Sequence, residues 1–188
     1  MTINGPLLVT PRLILRLPGP EDLEPWIAFC ADPQTMRFLG GPQTRSEAWR
    51  GLCTMAGAWH VAGFAMFSVI ERASGRWIGR IGPWRPEGWP GNEVGWGIAS
   101  AFAGQGYAHE AAAAAIDYAF DRLGWPEVIH CIDPDNTPSI ALATRLGSRL
   151  LRPVTLPPPI VAPRIDAWGQ SAAEWRARKA QPASGASL

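Results

Sequence analysis

From Leu7 to Leu17 the chain reads LLVTPRLILRL, short and aliphatic, and Pro18-Gly19-Pro20 stops it, so a first strand is expected over residues 7–17. Glu21 and Asp22 then place negative charge ahead of Leu23, Trp26, Ile27 and Cys30, whose spacing of three and four gives a helix one apolar face. Asp32-Pro33 ends that helix, and Gly40-Gly41-Pro42 breaks the chain again. Thr44-Arg45-Ser46-Glu47 spells a capping box and opens a second helix carrying Trp49, Leu52, Cys53, Ala56 and Trp59. Beyond Gly63 the period shortens. FAMFSVI at 64–70 and RWIGRIG at 76–82 flank an Ala73-Ser74-Gly75 turn and read as an antiparallel pair. A loop dense in Gly and Pro at 84–92 leads to a fourth strand, NEVGWGIA at 92–99. A long helix is predicted from Tyr107 to Leu123, with alanines at 108, 111, 112, 115 and 119 that let its axis approach a sheet, and Gly124 and Pro126 end it. EVIHCI at 127–132 reads as a fifth strand and Asn136–Leu146 as a short helix with Gly147 past its end. Five prolines in 153–163 predict a surface loop or edge segment. Arg164–Trp168 follows as a last strand and Ser171–Arg178 as a last helical turn. The order β-α-α-β-β-β-α-β-α-β describes one mixed α/β domain over residues 7–178, with 179–188 read as a disordered tail.

Composition narrows the classes. A chain of 188 residues with 47% hydrophobic and 18% charged residues builds a globular core. A net charge of +1 gives no electrostatic reason to expect nucleic acid or an anionic membrane as partner. The sequence carries no run of about 18 apolar residues and no basic, then apolar, leader, so a cytoplasmic protein is expected. Three scattered cysteines (Cys30, Cys53, Cys131) and three isolated histidines (His60, His109, His130) give neither a disulfide framework nor a metal site. Lys179 is the only lysine and sits near the C-terminus, which argues against lysine-dependent catalysis. Ten tryptophans suit core packing, an aromatic pocket or a homodimer face.

The segment richest in chemistry is the strand, loop and helix at 93–123. Its loop, Ala103-Gly104-Gln105-Gly106-Tyr107-Ala108, runs straight into a helix N-terminus. Unpaired N–H groups and a positive dipole end there, behind glycines with no side chain, are a recipe for cradling a phosphate or pyrophosphate. A nucleoside-triphosphate loop would need a lysine, and the dinucleotide fingerprint would need a small residue where His109 stands. The plain alternative is a tight turn into a helix.

Together, NEVGWGIASAFAGQGYAHEAAAAAIDYAFDRLG and HCIDPDNTPSIALATRLG resemble the GNAT acyl-CoA N-acyltransferases. TPRLILR at 10–16 and DPQTMRFLGG at 32–41 are similar to the branch typified by ribosomal-protein N-terminal acetyltransferases. The resemblance implies a mixed, largely antiparallel sheet flanked by helices and splayed between the fourth and fifth strands. It implies acetyl-CoA as cosubstrate, with no metal, and direct transfer of its acetyl group to a primary amine of a protein N-terminus or a small molecule. The family motif [QR]xxGx[GA] falls on residues 103–108, so Gly104, Gln105, Gly106, Tyr107 and Ala108 would hold the pyrophosphate through backbone amides. Alanine at 103 departs from the Gln or Arg of that motif. His109, if charged, would add a contact to the phosphates; otherwise it is a first-turn surface residue. Asn136 caps its helix and, by resemblance, reaches the pantetheine arm, while Ser139 lies where a hydroxyl approaches the thioester sulfur. The tyrosine that other branches use as the acid is absent.

Glu93, at the head of the fourth strand, is the candidate base for the incoming ammonium group, with Trp89 and Trp96 near enough in sequence to desolvate it. A surface carboxylate is the plain alternative, and His60 and His130 are rival bases. Glu110 reads as dipole support for its helix, and Cys131 as a small buried hydrophobe with no base beside it. Trp84, Trp89 and Trp96 are assigned to the substrate pocket, with Trp49 and Trp59 on the helices that, as the resemblance implies, build the acceptor face. A second reading, from a different class, is an acyl-CoA-binding or sensing module with weak turnover.

Overall fold

A computed structural model describes residues 5–158, 160 and 164–180, and in it the expected first strand is two. β1 (Leu8–Val9) and β2 (Leu13–Arg16) pair antiparallel around the Thr10-Pro11-Arg12 corner. There the Thr10 N–H donates to the Leu13 carbonyl at 3.0 Å, and the Leu13 N–H donates to the Thr10 hydroxyl at 3.0 Å. α1 (Leu23–Ala31) follows a single 3-10 turn. Asp32 does more than end α1: its carboxylate accepts the Gln34 and Thr35 N–H groups and caps a short α2 (Pro33–Met36). α3 (Arg45–Val61) starts at the capping box, where Thr44 N–H meets the Glu47 carboxylate at 2.8 Å.

The remaining elements are β3 (Phe67–Glu71), β4 (Trp77–Trp84), β5 (Glu93–Ile98), α4 (Tyr107–Asp121), β6 (Glu127–Ile132), α5 (Thr137–Arg145), β7 (Arg149–Val154), β8 (Ile165–Ser171) and α6 (Ala172–Ala180). Arg149–Val154 forms a strand that the sequence reading left unassigned as far as Arg152; from Pro153, read as a surface loop or edge segment, the chain is the edge of the sheet, which tolerates a proline, and Pro153 stands opposite Asp166. One expectation is corrected. Lys179 and Ala180 belong to α6 rather than to a tail, held by the Lys179 ammonium on Asp117 and the Trp175 indole N–H on the same carboxylate. Residues 181–188, and Pro159 and Pro163 of the proline-rich stretch, lie outside the described residues.

The eight strands form one sheet in the order β1-β2-β3-β4-β5-β6-β8-β7. Every neighbouring pair is antiparallel except β5 and β6. Side chains alternate across the sheet, so its two faces can be followed strand by strand. One face carries Phe67, Ile81, Val94 and Trp96 and receives α4, with Phe67 and Tyr118 edge-to-face at 5.3 Å. Ala111, Ala112, Ala115 and Ala119 are fully buried in that contact, as their spacing predicted. The other face carries Arg80, Trp84, Glu93, Gly95 and Gly97 and is covered by α1: a Cβ built on Gly97 would stand 2.9 Å from the Phe29 ring.

Candidate active site

The fourth and fifth strands of the sequence reading are β5 and β6, and they part after one rung. Their only paired position among the described residues is Glu93 with Ile129, fixed by the Ile129 N–H to the Asn92 carbonyl at 2.8 Å. A continuous parallel ladder would next join the Cys131 N–H to the Val94 carbonyl, then the Trp96 N–H to the Cys131 carbonyl. Side chains take the first of these places. The Cys131 N–H donates to the Glu93 carboxylate at 3.1 Å, and the Val94 carbonyl accepts from His130 Nδ1 at 2.7 Å.

Glu93 is therefore not a surface carboxylate; it is 7% exposed. Burial pushes its carboxyl up to about 7, against hydrogen bonds from Cys131 and from the Trp89 indole and the nearby Arg80 charge, all of which favour the ionised form. Trp84 stacks edge-on against Trp89 at 6.4 Å, so these two tryptophans stand beside the carboxylate. Arg80 shares this face; it donates to the Met66 sulfur at 3.1 Å and lies over the Trp26 ring, and its buried Nε has no hydrogen-bond partner. Cys131 lies beside Glu93 after all, contrary to the sequence reading. Burial, and then the Glu93 charge, drive its thiol far above the usual range and keep it protonated, a poor nucleophile.

Trp96 points to the opposite face from Trp84, Trp89 and Glu93, so one pocket does not hold all three tryptophans. Its ring meets the His130 ring at 4.6 Å, and its indole N–H donates to the Ser139 hydroxyl at 3.1 Å. Ser139 stands in the first turn of α5, where the Asn136 carboxamide oxygen accepts its N–H at 3.3 Å and caps the helix. His130 is 1% exposed and both ring nitrogens are engaged, Nε2 with the Ser148 hydroxyl at 3.0 Å. Burial lowers its pKa to about 4, which the bond to the Val94 carbonyl only partly offsets, so it is neutral and unsuited to the role of base. Sequence reasoning passed over this strut, although His130 alternates with the inward-facing Val128 and Ile132 and so shared the pattern of a buried position.

The glycine loop has the geometry that anion binding requires. Gly104 and Gly106 sit at φ +75° and +80°, left-handed conformations that suit glycine, and Gly106 is the N-cap of α4. The first bond of that helix runs from Glu110 N–H to the Gly106 carbonyl, which leaves the Tyr107, Ala108 and His109 N–H groups ahead of the ladder. A Cβ on Gly104 would meet nothing within 4 Å, so this side of the loop is open to a large ligand. Glu110 does more than support the dipole: it accepts from the Thr10 hydroxyl at 2.6 Å and from Arg12 Nε at 2.6 Å. Arg12 in turn donates to the Gln105 carbonyl at 2.9 Å and lies over the Tyr107 ring, whose hydroxyl bonds Glu71. A cation thus stands over a loop whose position 103 carries none.

The His109 ring turns to the side of α4 where α5 and α6 lie. It lines a cleft of about 230 Å³ with Arg145, Trp175, Arg178 and Lys179, and burial followed by the two arginine charges lowers its pKa. Trp59 is 7% exposed, packed on Phe67 and Tyr118, and belongs to the core rather than to an acceptor face. Trp49 is exposed and lines a separate cleft with Leu23, Ile27, Arg45 and Ser46. Among the described residues no group of three or more His, Cys, Asp or Glu could hold a metal ion, and no helix is long and apolar enough to cross a membrane.

Residues 12–149 match the acetyltransferase (GNAT) domain family. Over 143 residues the chain is 30% identical to an uncharacterized N-acetyltransferase, p20, of Bacillus licheniformis, covering 74% of this chain and 80% of that protein. The fold superposes on an acetyltransferase from Agrobacterium tumefaciens with a TM-score of 0.78 at 30% identity, covering 90% and 96% of the two chains. It also superposes on the ribosomal-protein-S5-alanine acetyltransferase of Vibrio fischeri, with a TM-score of 0.68 at 15% identity over 90% and 98%, a likeness of fold alone. On motif, fold and relatives together, the chain belongs to the GNAT family of acetyltransferases.

Proposed function

We propose that the protein transfers the acetyl group of acetyl-CoA directly to a primary amine, of a protein N-terminus or a small molecule, with Glu93 as the base. The observation that carries this reading is a buried carboxylate, poised at about 7, beside the point where β5 and β6 part. Near neutral pH such a group accepts a proton from an ammonium ion and still spends much of its time ionised. Glu93 takes the ammonium proton directly or through water, and the freed amine attacks the thioester carbon. As the carbon–sulfur bond breaks, the second amine proton passes to the departing sulfur through Ser139 or water, leaving the amide, the free thiol and one proton on Glu93.

Each remaining residue has a place in that sequence. The backbone of Gly104, Gln105, Gly106, Tyr107, Ala108 and His109 is assigned to the pyrophosphate, and Asn136 to the pantetheine side of the cleft. The Trp96 N–H, which a continuous ladder would have used, is assigned to polarising the thioester carbonyl. Ser139 is assigned to the departing thiolate; the indole bond it accepts makes its own O–H the better donor. Trp84 and Trp89 belong on the acceptor side with Glu93, and Trp96 on the cofactor side. Most of the rate enhancement is positioning of the two substrates.

Free-thiol release from acetyl-CoA with a panel of amines tests the reading. Glu93→Gln keeps an acceptor for the Cys131 N–H, so acetyl-CoA affinity should hold while turnover falls about 10²–10⁴-fold. A glutamine variant with full turnover and an unchanged acidic limb would make Glu93 structural. Tight acetyl-CoA binding with no turnover of any amine would favour the binding-module reading.

A further inference from the structure

We propose that His130 is a positioning residue that holds the cofactor cleft open by taking the carbonyl that the β5–β6 ladder would otherwise give to Cys131. The tautomer follows from the partners. A carbonyl only accepts, so Nδ1 carries the proton toward Val94, and Nε2 must accept from the Ser148 hydroxyl. Ser148 is oriented by Gln170, whose Nε2 donates to it at 3.0 Å and to the Leu146 carbonyl at 2.9 Å. One directed chain of hydrogen bonds thus runs from β8 through Ser148 to the ring and ends on the backbone of β5.

The ring satisfies the Val94 carbonyl, which would be costly to leave buried without a donor. The Cys131 N–H, which a continuous ladder would aim at that carbonyl, bonds the Glu93 carboxylate on the other face instead. Without the imidazole the two backbone groups can pair, the ladder gains a rung, and the cleft closes by that rung. Glu93 then loses a donor that favours its charged form. The groups that reach Glu93 are Arg80 from β4, the Cys131 thiol and amide from β6 and the Trp89 indole from the loop before β5. Those around His130 are Trp96, Ser148 and the Val94 carbonyl, with Arg178 behind Gln170 at 3.4 Å.

The consequence for activity rests on the acetyl-transfer reading, whereas the latch itself is read without ligand. The test compares His130→Leu, which keeps bulk but cannot donate, with His130→Asn, whose carboxamide N–H stands where Nδ1 does. In ligand-free protein, the Cys131 amide proton resonance should titrate with Glu93 near neutral pH in the parent and in the asparagine variant, and lose that titration in the leucine variant. With acetyl-CoA, the leucine variant should show a KM raised about tenfold, as expected for one lost hydrogen bond of order RT ln 10, and an acidic limb moved up by about one pH unit. The asparagine variant should recover both. A packing role alone gives the opposite order, leucine close to the parent and asparagine worse, and that order overturns the proposal. So does a Cys131 amide that still follows Glu93 in a folded leucine variant. If the parent binds no acetyl-CoA, the proposed function fails while the amide titration still decides the latch.

Discussion

Glu93 and His130 sit on opposite faces of one rung and carry opposite pH signatures. Burial raises the Glu93 carboxyl from 4.5 to about 7, so the folded protein holds a proton that the unfolded chain releases, and this residue's contribution to stability falls as pH rises through that window. Burial lowers His130 from 6.5 to about 4, so here the unfolded chain binds the extra proton, and stability is lost as pH falls through that window. Between about 4.5 and 6.5 the two slopes cancel. Removing one should expose the other. Against the parent, Glu93→Gln should gain on the order of 3 kcal/mol of relative stability from pH 4.5 to 7, and His130→Asn should gain a similar amount as pH falls from 6.5 to 4. Denaturant midpoints across pH read both, and parallel curves for parent and variants would contradict them. Glu93 was named as the candidate base from the sequence, with Trp89 near enough to desolvate it, but the depth of its burial and the strut formed by His130 were not legible there. Glutamate at a strand start reads as a solvated end, and its burial depends on Trp89, which folds back from the preceding loop, and on β6, which arrives some 35 residues later.

At the scale of elements, local signals carried well wherever the chain itself supplies the hydrogen bonds. The Thr44-to-Glu47 box opens α3, Gly106 caps α4 and Asn136 caps α5 at the positions read, because caps and glycines act over three or four residues. β7 was missed because an edge strand need not bury either face: Arg149, Leu150, Arg152 and Pro153 are exposed and show no alternation. The glycine loop divides its two glycines by surroundings. Gly104→Ala meets open space and carries only the left-handed penalty of about 1 kcal/mol, whereas a Cβ on Gly106 also stands 3.3 Å from Arg12 Nη2. Calorimetry with acetyl-CoA should therefore find Gly106→Val weakened at least tenfold and Gly104→Ala weakened less. Equal affinities for all three would move the cradle elsewhere.

Across the whole molecule the tryptophans divide into two populations that composition alone could not separate. Trp59 joins α3 to β3 and α4, with its indole N–H on the Met66 carbonyl at 3.2 Å, so Trp59→Ala should cost about 3–5 kcal/mol of unfolding free energy. Trp49, 53% exposed, should change stability by less than about 0.5 kcal/mol when cut to alanine, and thermal or denaturant melts separate the two cases. The sheet itself holds a further consequence. Eight strands laced along their lengths would make a stiff plate, but among the described residues the lacing is thinnest between β5 and β6, where a single rung joins five strands to three. That crease is where the plate bends most easily, and whatever lies along it works as a splint. An occupant of the cleft should then quiet motion on both sides of the crease together, so that amides of β6 and β8 as well as β5 exchange more slowly with solvent, although β8 pairs with β6 and not with β5.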